Sequence, residues 1–327
     1  MPEISFSKAK LARKCTQAYH YRYHERLRRK RPGVPLIRGT ILHEMITARS
    51  DPNSLKKPME ILKGYEEEYR QLFREEKEIY GELIPDIKRI FQGYEREYAD
   101  DDLRYESHEE FVATDLGRDI RFVGYIDKRC TDPADRHWLM DHKTHRNIPN
   151  DDQRFSDLQL VFYVWAYNRE RERKLDGVIW DYLRTKPPTI PEVLKNGELS
   201  QRKNMDTDYH TYLSEIQRLK LDPANYEETL DRLKNERNTF FKRVFLPSPP
   251  KVMIDNVVND MRTTATLIKH LSKTAITRNM THLCASTCDY YNLCQSELRG
   301  LDSAFVRKTE YEEAEIADHK KTPEEDA

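Results

Sequence analysis

The chain lacks a GxxxxGK(S/T) phosphate loop, an apolar run of the ~20 residues that a bilayer span needs, and any internal repeat. The first absence excludes a motor of the phosphate-loop kind, so the protein is expected to act without hydrolysing ATP. The second excludes a membrane-spanning helix, and with no signal-peptide pattern the expected location is cytoplasmic. A surplus of one charge is missing too: 56 basic residues face 57 acidic ones. Net charge therefore gives no reason to expect a polyanionic partner, and any such affinity must come from how the charges are distributed. Cysteine is sparse, at five residues, but three of the five crowd into 284–294.

What the chain does carry is most concentrated between Gly124 and Thr144. Gly124-Tyr125-Ile126-Asp127 and Asp141-His142-Lys143-Thr144 place two carboxylates and a lysine at the ends of adjacent strand-like runs. A hard divalent cation such as Mg²⁺ or Mn²⁺ takes oxygen ligands and keeps several waters, so one or two carboxylates suffice to hold it. Asp127 and Asp141 are the candidates for that role. Side chains alternate along a strand, so Lys143, two residues beyond Asp141, shares its face. A cation there with an ammonium beside it is a constellation able to activate water against a phosphodiester, with no covalent enzyme intermediate.

With these residues the sequence resembles the PD-(D/E)XK nuclease superfamily, and within it the RecB-type branch that includes AddB nuclease domains and CRISPR-adaptation exonucleases. Gly39-Thr40-Ile41-Leu42-His43 looks like the branch's upstream motif, Asp127 its motif-two aspartate, Asp141 and Lys143 its (D/E)xK pair, and Gln159-Leu160-Val161-Phe162-Tyr163 its QxxxY motif, all in the family's order. The resemblance implies that His43, Asp127, Asp141 and the backbone carbonyl of His142 hold the metal. It implies too that Lys143 positions the attacking water, and that Gln159 and Tyr163, four apart on one helix face, line the DNA path. The fold it implies is an α/β restriction-endonuclease-like core, a central mixed sheet flanked by helices. The family core is expected over 108–185: strands at Glu110 to Thr114, Ile120 to Arg129, Trp138 to Lys143 and Gly177 to Arg184, with a helix from Asp157 to Glu172.

The close spacing of Cys284, Cys288 and Cys294 suits a metal centre better than disulfides, particularly with no signal-peptide pattern. Cys15 lies in a segment similar to the N-terminal cysteine segment of the same branch, where one early and three late cysteines hold a 4Fe-4S cluster. Such a cluster would be structural, closing a loop across most of the chain and joining its N- and C-terminal segments. Four thiolates also suit tetrahedral Zn²⁺. Cys130 is the odd one out, expected to be a buried, inert thiol.

Basic residues Arg22, Arg26, Arg28, Arg29, Lys30 and Arg31 are interleaved or contiguous with Tyr19, Tyr21 and Tyr23, a pattern able to pair with phosphates and stack on unpaired bases. Its plainer alternative is a solvated face with the tyrosines turned inward. Further basic clusters stand at Arg169 to Lys174 and at Lys242-Arg243. One nuclease domain is expected over 1–307: the basic and cysteine segment 1–38, a helical insertion about 54–100, the core, a helical region about 206–272 and the cysteines at 284–294. Residues 308–327 are expected to be a disordered acidic tail. The reading that results is a metal-dependent exonuclease of bacterial, archaeal or phage origin, acting on single-stranded DNA or free ends in recombination, repair or DNA processing. Without an ATP site, any unwinding would come from a helicase or recombination partner. Two other classes stay open: a DNA-binding or assembly subunit with a non-catalytic nuclease fold, against which the intact set of His43, Asp127, Asp141 and Lys143 argues, and a redox-sensing iron-sulfur DNA-binding protein, which a cluster potential far outside the cellular range would exclude.

Overall fold

The computed structural model describes residues 2–236, 238–271 and 276–314, and the chain forms two compact units interleaved in sequence. Met1–Gly33, Val112–Gly124 and the described residues from Lys251 onward make one; Val34–Phe111 and Tyr125–Pro250 make the other. The described strands are β1 (Glu3–Ile4), β2 (Leu27–Arg29), β3 (Arg104–Gly117), β4 (Ile120–Thr131), β5 (His137–His145), β6 (Gly177–Arg184), β7 (Phe241–Pro247) and β8 (Tyr311–Glu313).

The larger unit is organised by a mixed sheet. β4 pairs antiparallel with β5, β5 parallel with β6, and β6 antiparallel with β7. The parallel pair needs a long crossover, which the helices Asp151–Phe155 and Gln159–Glu170 provide. From His137 to His142 and from Gly177 to Leu183 every residue is buried, the pattern of strands covered on both faces. The helix Gln159–Glu170 packs on β5 and β6, as do the helices Val34–Ser50 and Leu83–Glu97 on β5 and β6 respectively. The last of these buries Leu83, Ile84, Ile87, Ile90, Phe91 and Tyr94, a stripe at helical spacing. Successive side chains of β5 therefore meet different helices: Asp141 and Lys143 contact Gln159, whereas His142 and its β6 neighbour Asp181 lead to Tyr94.

Gly177, the first residue of β6, sits between Trp138 of β5 and Pro247 of β7. A Cβ built there would lie 2.2 Å from the Leu246 carbonyl oxygen and 2.5 Å from the Trp138 ring. One of the clashing atoms is backbone, so the strands must part to admit a methyl group. Gly177→Ala is expected to destabilise by about 1–3 kcal/mol or more through overpacking, read as a lower denaturation midpoint. An unchanged midpoint would show that β7 is not held this close.

In the smaller unit, β3 and β4 are joined through Arg118 and Asp119, at φ 61° and 56°, the left-handed pair that a two-residue hairpin requires. β1 runs parallel beside the start of β4. The helix Phe6–Lys14, capped by the Ser5 hydroxyl accepting from Lys8 N at 3.2 Å, packs along the helix Lys251–Lys269, with Arg13 Nε donating to Thr264 Oγ1 at 2.6 Å. β2 pairs antiparallel with β8.

Several sequence expectations change here. Among the described residues, the stretch 206–246 is helical through Tyr209–Arg218, the short 3-10 helix Pro223–Tyr226 and Glu227–Asn235; it then becomes β7, whose inward residues are fixed by partners far away in sequence. The crossover helix breaks before Gln159 instead of running from Asp157. The acidic segment does not begin as a tail at 308: Ser303–Glu310 is helical and Tyr311–Glu313 is β8, because Glu310, Glu312 and Glu313 find Arg29, Arg28 and Arg26 as counter-charges. The remainder, 315–327, lies outside the described residues, as does Ser272. The basic strand is correspondingly engaged, and Tyr19 and Tyr21 are buried, Tyr21 donating to Glu297. Tyr19 and Tyr21 adopt the inward-facing alternative, while Tyr23 stays partly exposed. Among the described residues no helix is long and apolar enough to cross a membrane.

Candidate active site

The larger unit brings His43, Asp127, Asp141, Lys143, Gln159 and Tyr163 together. Asp127 lies next to the β4–β5 ladder that pairs Lys128 with Met140, and its Oδ2 accepts from the backbone N–H of His142 at 3.0 Å. One residue earlier, Asp141 is 2 % exposed and its carboxylate meets the Lys143 ammonium at 2.8 Å. Gln159, opening its helix, bridges the pair: its Oε1 accepts from Lys143 Nζ at 3.2 Å and its Nε2 donates to Asp141 Oδ1 at 3.4 Å. Tyr163, one turn on, is buried and hydrogen-bonds to Gln159 and to the Tyr125 backbone. It thus backs Gln159.

His43 comes from the helix Val34–Ser50. Its Nδ1 is 3.5 Å from Asp127 Oδ2 and its Nε2 is 2.7 Å from the His142 carbonyl oxygen. That carbonyl, expected from the sequence to face a metal, here partners the imidazole. Sequence reasoning missed one residue of this group: the ligand atoms of His43, Glu109 and Asp127 all lie within 4.8 Å of one another. Glu109 belongs to β3, and nothing in its local pattern separates it from the adjacent Glu110.

Electrostatics sharpen the picture. Burial, reinforced by the charge of Asp127, pushes the Asp141 carboxyl up to about 7, against the opposing pull of Lys143 and His43. Burial works against the Lys143 ammonium, yet Asp141, by charge and hydrogen bond, raises its affinity for the proton above the ordinary lysine range. Two carboxylates confined together are what a bound cation relieves. Carboxylate oxygens, a carbonyl and an imidazole form a donor set that suits Mg²⁺ or Mn²⁺, and the residues present fit such an ion.

Behind β5, His142 Nδ1 donates to Asp181 at 2.8 Å, and Asp181 also accepts from Tyr94 at 2.6 Å. Burial, with the Lys128 cation nearby, lowers His142 to about 4, so the ring is neutral and the carboxylate is the acceptor. Arg243, read from the sequence as part of a basic cluster with Lys242, is turned inward onto Asp101 and Asp181.

The cysteine centre belongs to the smaller unit. Cys15, Cys288 and Cys294 pack into one cluster with Ala18, Tyr21, Tyr290, Leu293 and Tyr311. Cys284 is close enough that its charge, after burial, helps raise Cys288. The Cys284 thiol itself is lowered by hydrogen bonds from Thr281, whose N–H donates to its sulfur at 3.3 Å. Gln17 N donates to the Thr277 carbonyl at 3.1 Å and Thr277 N to Thr16 Oγ1 at 2.8 Å, so the early and late segments are laced together beside Cys15. Cys130 is apart, in β4, and burial pushes its thiol up to about 12, as an inert core thiol should be.

A mixed sheet with helices on it, presenting an aspartate from one strand and an Asp-x-Lys pair from the next, defines a restriction-endonuclease-like α/β fold. The family model of the PD-(D/E)XK nuclease superfamily matches residues 3–295, and the chain belongs to that superfamily. Its members are generally nucleases that use divalent metals, which makes nucleic acid the substrate class. No curated protein matches the chain. Among solved structures, the crystal structure of SSO0001 is similar at 12 % identity and a TM-score of 0.31, over 80 % of this chain and 95 % of that one.

Proposed function

We propose that the protein is a Mg²⁺- or Mn²⁺-dependent deoxyribonuclease, an exonuclease acting on single-stranded DNA or DNA ends in recombination, repair or DNA processing. The observation that carries this reading is the Asp141–Lys143 pair at 2.8 Å, bridged by Gln159 and adjoining Asp127 and His43. His43, Asp127, Asp141 and the His142 carbonyl would hold the ion, which when bound supplies an acidified water and a counter-charge to the phosphate. Lys143 holds its proton and presents a fixed positive charge to the phosphate oxygens. Gln159 fixes the ammonium, and Tyr163 fixes Gln159.

Cys15, Cys284, Cys288 and Cys294 are proposed to hold a 4Fe-4S cluster, with Zn²⁺ as the other occupant their thiolates suit. Support comes from three of the four sulfurs sharing one packed cluster, and from the fourth acting electrostatically on Cys288. Its role is structural: the segments that carry the cysteines also make the β2–β8 ladder.

The test is degradation of end-labelled linear and circular single-stranded DNA by anaerobically purified protein with Mn²⁺, alongside a visible spectrum. Metal-dependent loss of the linear strand only is the expected result. Cutting of the circle would replace exonuclease by endonuclease action, and intact DNA with a folded, metal-bound protein would leave a DNA-binding subunit. A brown stock absorbing near the visible blue is expected, turning colourless in Cys294→Ala; a colourless wild type holding zinc would overturn the iron assignment.

A further inference from the structure

We infer that Phe155 is a stacking platform for an unpaired base of the substrate strand, an inference that rests on the single-strand reading above and names how that strand is held. The short helix Asp151–Phe155 sorts its last two side chains the wrong way round. Arg154 is 5 % exposed and Phe155 is 70 % exposed, so the cation is inside and the aromatic ring outside. That reverses the usual burial order of the two residue types and forgoes the stabilisation that burying a phenyl ring brings. Breaches of local preference of this kind are expected where function dictates the residue.

Isolated exposed apolar side chains are otherwise ordinary, and Phe155 is set apart by where its helix is seated. Arg154 donates to the Pro149 carbonyl at 3.2 Å and to the Asp151 carboxylate, and its guanidinium lies 5.7 Å from the centre of the Tyr182 ring. Tyr182 stacks on Trp180 with ring centres 5.8 Å apart, and the Lys143 ammonium stands 5.7 Å from the Trp180 ring centre. The chain after Phe155 is pinned as well. Ser156 Oγ donates to the Gln153 carbonyl at 2.6 Å, Asp157 N to the Arg154 carbonyl at 3.1 Å, and Gln159 N to Asp157 Oδ1 at 3.2 Å. Gln159 is the residue that bridges Asp141 and Lys143. Phe155 is therefore held from both sides while its own ring is presented to solvent. Four residues span at most about 14 Å, the rise of about four stacked nucleotides, so the ring addresses a base close to the phosphate that Lys143 faces. Every base offers a π-face to a phenyl ring, whereas a base inside a duplex has both faces covered by its neighbours. The ring thus selects a single strand over a duplex without reading sequence.

The experiment measures binding of a short fluorescent single strand by anisotropy, without added divalent metal, to the full chain as wild type, Phe155→Ala, Phe155→Leu and Phe155→Trp. Phe155→Ala should bind at least about fivefold more weakly, the lower end of what stacking one base contributes. Phe155→Trp should bind within about twofold of wild type, and Phe155→Leu, apolar but without a π-face, should resemble Phe155→Ala. A series of strands, each with one abasic position, adds a readout on wild type itself. One such position should weaken wild type by the same factor and leave Phe155→Ala unaffected, because the two changes remove one contact. Binding of Phe155→Ala within about twofold of wild type, or an abasic series that affects both proteins alike, would overturn the assignment. Mn²⁺-dependent cleavage of the same strand by wild type would then leave the nuclease reading standing, whereas a wild type that neither binds nor cuts it would remove both.

Discussion

Lys143→Ala is expected to reduce DNA cleavage by about three orders of magnitude while leaving the fold intact, on the scale of removing a group aimed at developing charge. Three contacts fix the ammonium: Asp141 at 2.8 Å, Gln159 at 3.2 Å, and the face of Trp180, whose ring centre is 5.7 Å away. Such a group needs no reorganisation when phosphate charge builds up, which is why its removal affects the chemical step more than binding. Lys143→Arg should not restore activity, because a planar fork cannot reproduce a point charge held on three sides. The variant carries a second signature. Asp141, already pushed up to about 7 by burial and by Asp127, loses the cation that favours its ionised form, so its carboxyl moves further up. The ion must displace that proton to bind, so residual cleavage at limiting Mn²⁺ should need a higher pH than wild type. Single-turnover rates on labelled single-stranded DNA across pH 6–9, with circular dichroism as a control, would decide; a loss smaller than about tenfold in a folded variant would remove Lys143 from the chemistry.

The Asp-x-Lys pair was legible because two local rules suffice for it. Strand alternation puts residues 141 and 143 on one face, and the runs around them read as strands close to those found. β6 is legible too, as a short run between Gly177 and Arg184 that is apolar and aromatic apart from Asp181. His43 is different. Its approach to Asp127 depends on where the helix Val34–Ser50 packs, and only the resemblance to a known family placed it there. Glu109 was invisible because one left-handed residue reverses a periodicity that sequence reading assumes. The basic segment misled for a related reason. Charge in a sequence shows that a counter-ion is needed, not which one, and Arg26, Arg28 and Arg29 find theirs in β8. The same segment that looks like an acidic tail supplies it.

Arg243 shows the largest such displacement, from member of a basic sequence cluster to core residue, and replacing it should be costly. Its guanidinium meets Asp101 at 2.9 Å and Asp181 at 3.4 Å, donates to the hydroxyls of Tyr94 and Tyr105 at 3.1 Å each, and lies 3.8 Å from the centre of the Tyr98 ring. Asp181 is 0 % exposed. Burial opposes its charge, yet the hydrogen bond from His142 and the Arg243 cation hold its carboxyl well below the usual range. Arg243→Met keeps the stem's volume and strands two carboxylates without their cation, so it should lower stability by about 3–5 kcal/mol, as breaking a buried pair does. A group with a depressed folded-state pKa contributes stability that is present above its unfolded pKa and lost as pH falls below it. In the variant Asp181 is no longer held down and protonates more readily, so the deficit should be greatest near neutrality and narrow in acid. Adding Asp181→Asn should recover part of the loss by removing the stranded charge, which a mere packing defect at Arg243 would not allow. The effect should also reach the site. Asp181 anchors the His142 ring, and His142 gives its backbone N–H to Asp127 and its carbonyl to His43, so a loosened ring shifts both. Urea titrations of wild type and the two variants at pH 7 and pH 4, followed by Mn²⁺ affinity, separate the two consequences; a midpoint unchanged by Arg243→Met would mean that the buried carboxylates are neutral and that no charged network stands behind β5.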